Sequence, residues 1–470
     1  MLTFLIVLSG ATHAFAQSFM PRQITGREDS IRQKVFAMGL PVVEVNTVNR
    51  EFPHYYSVDA PEGCWGMSIT GATKVPGRVT ISLGDSLLFD SGEYEEDISG
   101  MTIKIRGNTS ARQPKKPYKI KLQKKADMLR RGDSRYNDKN WLLLTTLGIL
   151  ADVGFKVNSL LGQPWTPAYE HVNLFFNGEW KGVYLLTESV RRNPSCRINI
   201  GTDGFLFEYD SYWWNEDIYV ESPTLDRPMH YTFKYPEPDE ITPEQIAYFT
   251  EMITAVEQSL YNGTYANYID VHSFAVWLLS HDLLGTRDSA GSNYYLTKYD
   301  STPASKVTMA NLWDFDTAML CDERWSTLHS VFYFKSLFDS ENQAFLREYV
   351  QLYDAVAPTF YNEIDGWLEQ LSASALAAQM EEAVKWDGIR WNEVRTPFSE
   401  EIENARQWFA RRKVWMDAAI DELRLQILPT TIKRPSDDEA LKTYYNLHGQ
   451  RISMPKRGIN LKNGKKYVVR

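Results

Sequence analysis

The stretch HVNLFFNGEWKGVYLL, residues 171–186, is the clearest local structural signal in the chain. Two apolar runs flank Asn177-Gly178, and such a pair is typical of the two-residue type I′ turn, in which both residues have a positive φ. The sequence therefore predicts a β-hairpin here. On its N-terminal side, LPVVEVNTV, RVTISL and MTIKI are short strand patterns separated by Gly, Pro and Asp turns, and they predict a β-rich region.

The pattern becomes helical after a further strand predicted at GFLFEYD (204–210). Thr242-Pro243 supplies an N-cap and a first helical residue, and Asp270 can cap the apolar segment VHSFAVWLLSHDLL. Apolar residues at three- and four-residue spacing predict a long amphipathic helix near the C-terminus. They are Ile402, Trp408, Phe409, Trp415, Met416, Ala419, Ile420 and Leu423.

These patterns predict an α+β protein with two lobes. We expect a β-rich lobe over about residues 40–210 and a helical lobe over about 211–427. A Pro- and charge-rich linker at 428–443 then leads to a small β tail at 444–470.

The first residues have the features of an export signal. Residues 1–16 are apolar and end in Ala14-Phe15-Ala16, the small-x-small pattern of a signal-peptidase site, although no Lys or Arg precedes the apolar core. We expect a signal peptide at 1–16, a leader at 17–39 and a periplasmic, outer-surface or extracellular protein; a buried N-terminal strand is the alternative. No later stretch has the ~18 apolar residues of a membrane span, so we expect no transmembrane segment in the mature chain.

Charge and cysteine content exclude other classes. A net charge of −9 argues against non-specific binding of nucleic acid. The three cysteines have no Cys-x-x-Cys spacing, which argues against a zinc site or a disulfide scaffold.

The segment TRDSAGSNYYLTKYD (286–300) contains the strongest candidate chemistry. Four residues separate Asp288 from Asn293, the spacing by which kinase catalytic loops place a base and a magnesium ligand. NYYLTKY and VTMANLW predict a hairpin that ends at Asp314-Phe315-Asp316, and oxygen ligands of this kind suit Mg²⁺. The alternative is structural: Asp288 caps a turn and Asn293 opens a strand.

The loop and strands of residues 105–122 offer candidate phosphate ligands. Alternation over 118–122 puts Lys119 and Lys121 on the face opposite the apolar residues, where one lysine can reach a phosphate. Asn108 lies in a loop of small residues that suits either a phosphate or a tight turn. Arg106 suits either a phosphate or a salt bridge.

Four ordered segments together resemble the CotH (spore coat protein H) kinase family, a secreted set of atypical protein kinases. The resemblance covers roughly residues 40–425. It implies a two-lobed kinase-like fold. It also implies an enzyme that uses ATP with Mg²⁺ or Mn²⁺ to phosphorylate Ser or Thr of secreted or surface proteins. The segments are IRGNTSARQPKKPYKIKL (105–122), NWLLLTTLGILADVGFKVNSLLG (140–162), VNLFFNGEWKGVYLLTESV (172–190) and the 288–316 region.

The resemblance also implies roles for individual residues. Asp288 would orient or deprotonate the acceptor hydroxyl, Asn293 and Asp314 would bind the metal, and Asp316 would be a further ligand or support one. Glu188, where a strand ends, would line the hinge at which adenine binds.

The pair Asp152 and Lys156 takes the place of an Asp and Arg in the family. It faces the cleft or forms an i,i+4 surface pair. This Lys-for-Arg difference, and Thr286-Arg287 where members often carry an Asn two residues before the Asp, make an inactive kinase-like surface binding or structural protein the alternative function.

Two further hypotheses come from other segments. Glu208 and Asp210 would suit a carbohydrate-active enzyme with paired carboxylates, although such alternate positions on a strand are common. The tail segments NLHGQR, KRGI and NGKK resemble C-terminal segments of exported Bacteroidetes proteins and imply a sorting or surface-attachment signal. A final hairpin packed on the main domain is the alternative for the tail.

Overall fold

The computed structural model describes most of the chain. The described residues are 28–145, 148–224, 228–286, 293–314, 319–320, 324–427, 444–445, 451–452, 458–462 and 465–469. The predicted signal peptide, the predicted linker, Asp288 and Asp316 lie outside them. The chain divides into two compact units, Met1–Asp421 and Glu422–Arg470.

Strands dominate the N-terminal half of the first unit. Helix α1 (Glu28–Ala37) precedes them, and helix α2 (Leu150–Leu160) lies between the eighth and ninth strands. The strands are β1 (Val42–Thr47), β2 (Tyr56–Asp59), β3 (Met67–Thr70), β4 (Val75–Leu83), β5 (Ser86–Asp90), β6 (Met101–Ile105), β7 (Tyr118–Ala126), β8 (Asp138–Leu144), β9 (Tyr169–Phe176) and β10 (Glu179–Glu188).

Eight of these strands form one sheet, in the order β1-β9-β10-β8-β7-β6-β4-β5. Because β1 also pairs with β4, seven of the eight strands close into a barrel, and β5 lies at an edge beside β4. Its inward face is an apolar core that includes Val45, Ile103, Ile120, Trp141 and Leu186.

The hairpin predicted from Asn177-Gly178 is confirmed. Phe176 pairs with Glu179 across a two-residue connection between β9 and β10. Asn177 has a φ of 51° and Gly178 a φ of 85°, as a type I′ turn requires. The side chain of Asn177 also accepts the backbone N–H of Thr47 at 2.9 Å, which ties the turn to β1.

The predicted orientation of the β7 lysines is also confirmed. Tyr118, Ile120 and Leu122 belong to the apolar core, whereas Lys119 and Lys121 lie on the other face. Strand β6 pairs with β7 and follows the same alternation, so the outward face of both strands carries polar side chains.

A second sheet lies in the middle of the chain, in the order β12-β13-β11-β14-β15. The hairpin predicted from NYYLTKY and VTMANLW is present, but its second strand stops at Met309. The backbone N–H of Leu312 donates to Asn158 of α2 at 3.0 Å, so the chain has left the sheet there. The strands are β11 (Phe205–Tyr209), β12 (Tyr219–Glu221), β13 (His230–Tyr235), β14 (Tyr294–Lys298) and β15 (Val307–Met309).

Helices make up most of the rest of the first unit. Thr242 caps α3 through a capping box with Gln245, and Asp270 caps α4, as the sequence predicts. Helix α4 is buried almost all round, packs against α6 and ends just before residues 287–292. The helices are α3 (Pro243–Asn262), α4 (Val271–Leu284), α5 (Phe334–Asp339), α6 (Ala344–Ser372), α7 (Ala375–Trp391) and α8 (Phe398–Gln426).

Four short strands form the sheet of the second unit, in the order β17-β16-β18-β19. They are β16 (Tyr444–Tyr445), β17 (Arg451–Ile452), β18 (Gly458–Lys462) and β19 (Lys465–Val469). The chain is thus a mixed α+β protein. Among the helices of the described residues, none is long and apolar enough to cross a membrane.

Candidate functional site

Asn293 and Asp314, both predicted to bind metal, lie side by side. Asn293 directly precedes β14, and its side-chain amide donates a hydrogen bond to the Asp314 carboxylate at 3.1 Å. Both have left-handed backbones, with φ values of 68° and 53°. That conformation is uncommon outside glycine, and Asn and Asp tolerate it best. The structure therefore brings together two residues that are 21 positions apart in the sequence.

Glu208 of β11 holds this pair in place, a role that the sequence analysis missed. One carboxylate oxygen accepts the backbone N–H of Asn293 at 2.9 Å, and the other lies 3.0 Å from the ammonium of Lys234. Strand alternation predicts that Glu208 faces one side of β11. Its partners are not predictable from that alternation, because β13 and β14 join β11 only through long-range pairing.

Asp210, two residues along β11, is engaged differently. Its carboxylate accepts the backbone N–H of Tyr212 at 2.8 Å and the hydroxyl of Thr232 at 3.1 Å. Burial, reinforced by nearby Glu208, raises the pKa of Asp210 to about 7. Both carboxylates thus have several contacts within the protein, an arrangement that favours a supporting role over the acid–base pair of a carbohydrate-active enzyme.

The donor atoms of Asn293 and Asp314 fit a magnesium ion. Mg²⁺ prefers oxygen ligands and is commonly held by one or two carboxylates together with substrate phosphates. The described residues contain no cluster of three or more His, Cys, Asp or Glu side chains that would make a complete protein cage. The pair can therefore supply part of a coordination shell, and Asp288 and Asp316 lie outside the described residues.

Arg106 and Asp314 line one small cavity of about 60 Å³. The other lining residues are Ser110, Pro117, Leu144, Thr145, Ala151, Phe155, Leu185 and Trp313. Arg106 makes no ion pair with any residue that the structure describes. The salt-bridge alternative for Arg106 therefore has no partner among the described residues, and Arg106 lines the same cavity as Asp314.

The register of β6 and β7 separates the two candidate lysines. Lys119 lies opposite Lys104, two residues before Arg106, whereas Lys121 lies opposite Thr102. Two residues of strand span roughly 7 Å, so Lys121 is one such step farther from Arg106 than Lys119. Burial, together with nearby Lys104 and Arg191, lowers the pKa of Lys119 to about 8.

Both lysines line a larger cavity of about 580 Å³, which we call the basic cavity. Polar and charged side chains from the outward face of the first sheet, the segment after β10, and β13 with the turn after it surround it. Its lining residues are Lys74, Thr102, Lys104, Lys119, Lys121, Lys125, Asp138, Lys139, Asn140, Arg191, Arg192, Asn193, Pro194, Lys234, Tyr235, Glu237 and Glu240.

Glu188, predicted to line a hinge, ends β10 with its side chain buried. Its carboxylate accepts hydrogen bonds from Arg131 at 2.9 Å, the backbone N–H of Ala168 at 3.1 Å and the indole N–H of Trp165 at 3.3 Å. These contacts brace the segment at the end of the strand. A contact between Glu188 and a nucleotide stays a prediction.

Asp152 and Lys156 do not form the surface pair considered from the sequence. The side chain of Asp152 is only 3% exposed, and its carboxylate is hydrogen-bonded to Nε2 of His171 on β9 at 2.9 Å. The surface-pair alternative is therefore wrong for Asp152, which links α2 to the first sheet. Lys156 is half-buried on the same helix.

Asn108 stabilises its loop, as one of its two sequence interpretations predicts. Its side-chain oxygen accepts the hydroxyl of Ser68 on β3 at 2.7 Å, and Gly107 beside it has a φ of 91°. The loop that follows β6 is thus fastened to a neighbouring strand. A contact between Asn108 and phosphate stays a prediction.

Comparison with known proteins gives one family. A family model described as CotH kinase protein matches residues 161–416, more than half of the chain. The match includes β10, α4 and the Asn293–Asp314 pair, and it begins after Arg106 and Lys119. No curated protein matches the chain.

Proposed function

The chain belongs to the CotH kinase family, and on that premise we propose that it is an exported atypical protein kinase. It transfers the γ-phosphate of ATP to Ser or Thr of secreted or surface proteins, with Mg²⁺ or Mn²⁺. The observation that carries this proposal is the hydrogen-bonded Asn293–Asp314 pair, whose Asp314 lines one cavity together with Arg106. In a two-lobed kinase-like fold, Asn293 before β14 and Asp314 after β15 would thus lie across the cleft from the phosphate-binding loop that begins at Arg106.

Each residue of this site has a separate role in the proposal. Asn293 and Asp314 hold the metal ion, which neutralises charge on the transferring phosphoryl group. Arg106 and Lys119 contact the phosphates of ATP; Lys119 is chosen over Lys121 because it is nearer to Arg106. Asp288, outside the described residues, orients or deprotonates the acceptor hydroxyl. Phosphoryl transfer of this kind depends mainly on positioning and charge neutralisation.

Export is part of the same proposal. It is supported by the apolar residues 1–16 with their Ala14-Phe15-Ala16 end and by the tail segments that resemble sorting signals. Under this proposal the acceptor proteins are themselves secreted or surface-bound.

A transfer assay with an Asp314→Asn variant tests the kinase activity. The purified mature chain is incubated with γ-labelled ATP and Mg²⁺ or Mn²⁺, alone and with a generic acceptor protein. An amide at 314 keeps an oxygen for the Asn293 hydrogen bond but loses the charge, so we expect turnover to fall at least about 100-fold with little change in stability. The matched control is Asp339→Asn at an exposed carboxylate, which should retain activity.

Two outcomes would count against the proposal. Absence of label in every condition, with no rise in melting temperature on adding ATP and metal, favours the alternative of an inactive surface binding protein. Equal activity of wild type and Asp314→Asn would instead remove Asp314 from the site.

A further inference from the structure

The basic cavity has an unusual charge balance. Nine lysine and arginine residues line it against three carboxylates, those of Asp138, Glu237 and Glu240. The whole chain has a net charge of −9, so this local excess of positive charge runs against the overall composition. A general solubility requirement does not explain it, because negative charge would serve that purpose equally well.

Several of these cations have no carboxylate partner among the residues that the structure describes. Four of the nine are paired or held by other groups: Lys139 with Asp97, Arg191 with Glu237, Lys234 with Glu208, and Arg192 with a backbone carbonyl. The other five form no ion pair with any described residue. They are Lys74, Lys104, Lys119, Lys121 and Lys125.

The backbone register forces some of the unpaired lysines together. Lys104 and Lys119 are directly opposite each other on β6 and β7, where like charges destabilise a sheet. Burial lowers the pKa of both side chains, and the neighbouring cations Lys74 and Arg106 lower that of Lys104 further. Binding an anion between them would remove this repulsion.

The size and lining of the basic cavity restrict its occupant. A volume of about 580 Å³ is in the range of small-molecule sites, which span roughly 300–1,000 Å³. Apart from Pro194 and Tyr235 the lining side chains are polar or charged, unlike the largely apolar walls of sites for flat organic rings. A small ligand that matches so many cations must carry a high density of negative charge. Phosphate groups supply it, because each carries about −1.5 to −2 at neutral pH.

We propose that the basic cavity binds a compact, multiply phosphorylated anion. The ligand lies between the outward face of β6 and β7, the segment after β10, and β13. This site shares Lys119 with the proposed ATP contact and extends beyond it, because Lys121 and Lys125 lie on the side of Lys119 that is away from Arg106. Sequence order hides it, since its lining residues come from positions 74 to 240.

Titration calorimetry on the full mature chain tests this inference with two probes: linear inorganic tripolyphosphate and cyclic inositol hexakisphosphate. We expect saturable binding of at least one, which weakens as salt is added. Lys121→Gln should weaken that binding about fivefold to tenfold, the effect of one lost charge-assisted contact. The matched control is Lys124→Gln, an exposed lysine on the same strand that does not line the basic cavity and should change binding less than about twofold.

Other results would overturn the inference. Equal weakening by Lys121→Gln and Lys124→Gln would show non-specific attraction. Tighter binding of a hexaglutamate peptide than of either phosphate probe would show a carboxylate ligand. An equal loss of ATP affinity in Lys121→Gln would show that the cations serve only the nucleotide. The Asp314→Asn variant should still bind the phosphate probe, so failure of the proposed transfer and failure of this site give different results.

Discussion

Replacing Asp282 with alanine removes the centre of a buried hydrogen-bond network at the end of α4. Asp282 is fully buried. One carboxylate oxygen accepts the backbone N–H of Ser326 at 2.9 Å. The other accepts the hydroxyl of Tyr349 at 2.5 Å and lies 2.7 Å from Nε2 of His329. The network joins α4, α6 and the 324–330 segment, and α4 ends a few residues before Asp288, the candidate base.

The size of the effect follows from these contacts. Burial alone would raise the pKa of Asp282, but His329 and the Tyr349 hydroxyl outweigh burial, so the pKa is lowered and the group is charged at neutral pH. Removing it leaves up to three buried polar groups without their acceptor, at about 1–3 kcal/mol each. Because the groups share one site, we expect a total loss of about 3–5 kcal/mol, the range for a broken buried ion pair.

Urea unfolding of wild type and Asp282→Ala at neutral pH measures this loss. The matched control is Asp339→Ala, whose carboxylate is 63% exposed and pairs with exposed Lys335, and we expect it to cost less than about 1 kcal/mol. The lowered pKa also sets the pH dependence. The contribution of Asp282 is present above about pH 4 and is lost as the pH falls through its folded-state pKa. A loss below about 1 kcal/mol, or one equal to that of the control, would refute the network's importance.

Two further predictions concern the first sheet. Asp387→Ala should cost about 3–5 kcal/mol in urea unfolding, because Lys115 and the Val183 N–H would lose a buried acceptor. Lys115→Met should cost less, since Asp387 keeps its contacts with the Val183 N–H and Arg395. A larger loss for Lys115→Met than for Asp387→Ala would contradict this reasoning. The affinity for ATP, measured by calorimetry, should fall by up to about tenfold between about pH 7 and pH 9, because the pKa of Lys119 is about 8 and its ammonium is then lost. Lys119→Gln should flatten that pH dependence, and an unchanged profile would remove Lys119 from the phosphate site.

Features that depend only on residues close together in the sequence were predictable. Asn177-Gly178 needs only its own backbone preferences to form a type I′ turn, and Thr242 caps a helix three residues away. The alternation that puts Lys119 and Lys121 outside the core is equally local. These predictions are confirmed because the contacts outside each segment agree with its local preference.

Features that depend on sheet order were not predictable in the same way. Glu208 supports Asn293 only because β11 and β14 are neighbours, although 85 residues separate the two. A surface pair with Lys156 is one of the two interpretations that the sequence allows for Asp152, but its carboxylate is hydrogen-bonded to His171 on β9. The basic cavity likewise could not be predicted, because its charged residues come from several segments and none of these segments has an unusual charge by itself.

In the closed first sheet, folding stability and ligand binding depend on different residues, although in many proteins the same residues must serve both. Apolar side chains of β6 and β7 fill its interior, and their alternate neighbours on the outside contact little of that core. Lysines such as Lys119 and Lys121 can therefore be exchanged for other polar residues at small thermodynamic cost. A protein built this way can acquire a new ligand preference through outward substitutions alone, with little change in the residues that stabilise its fold.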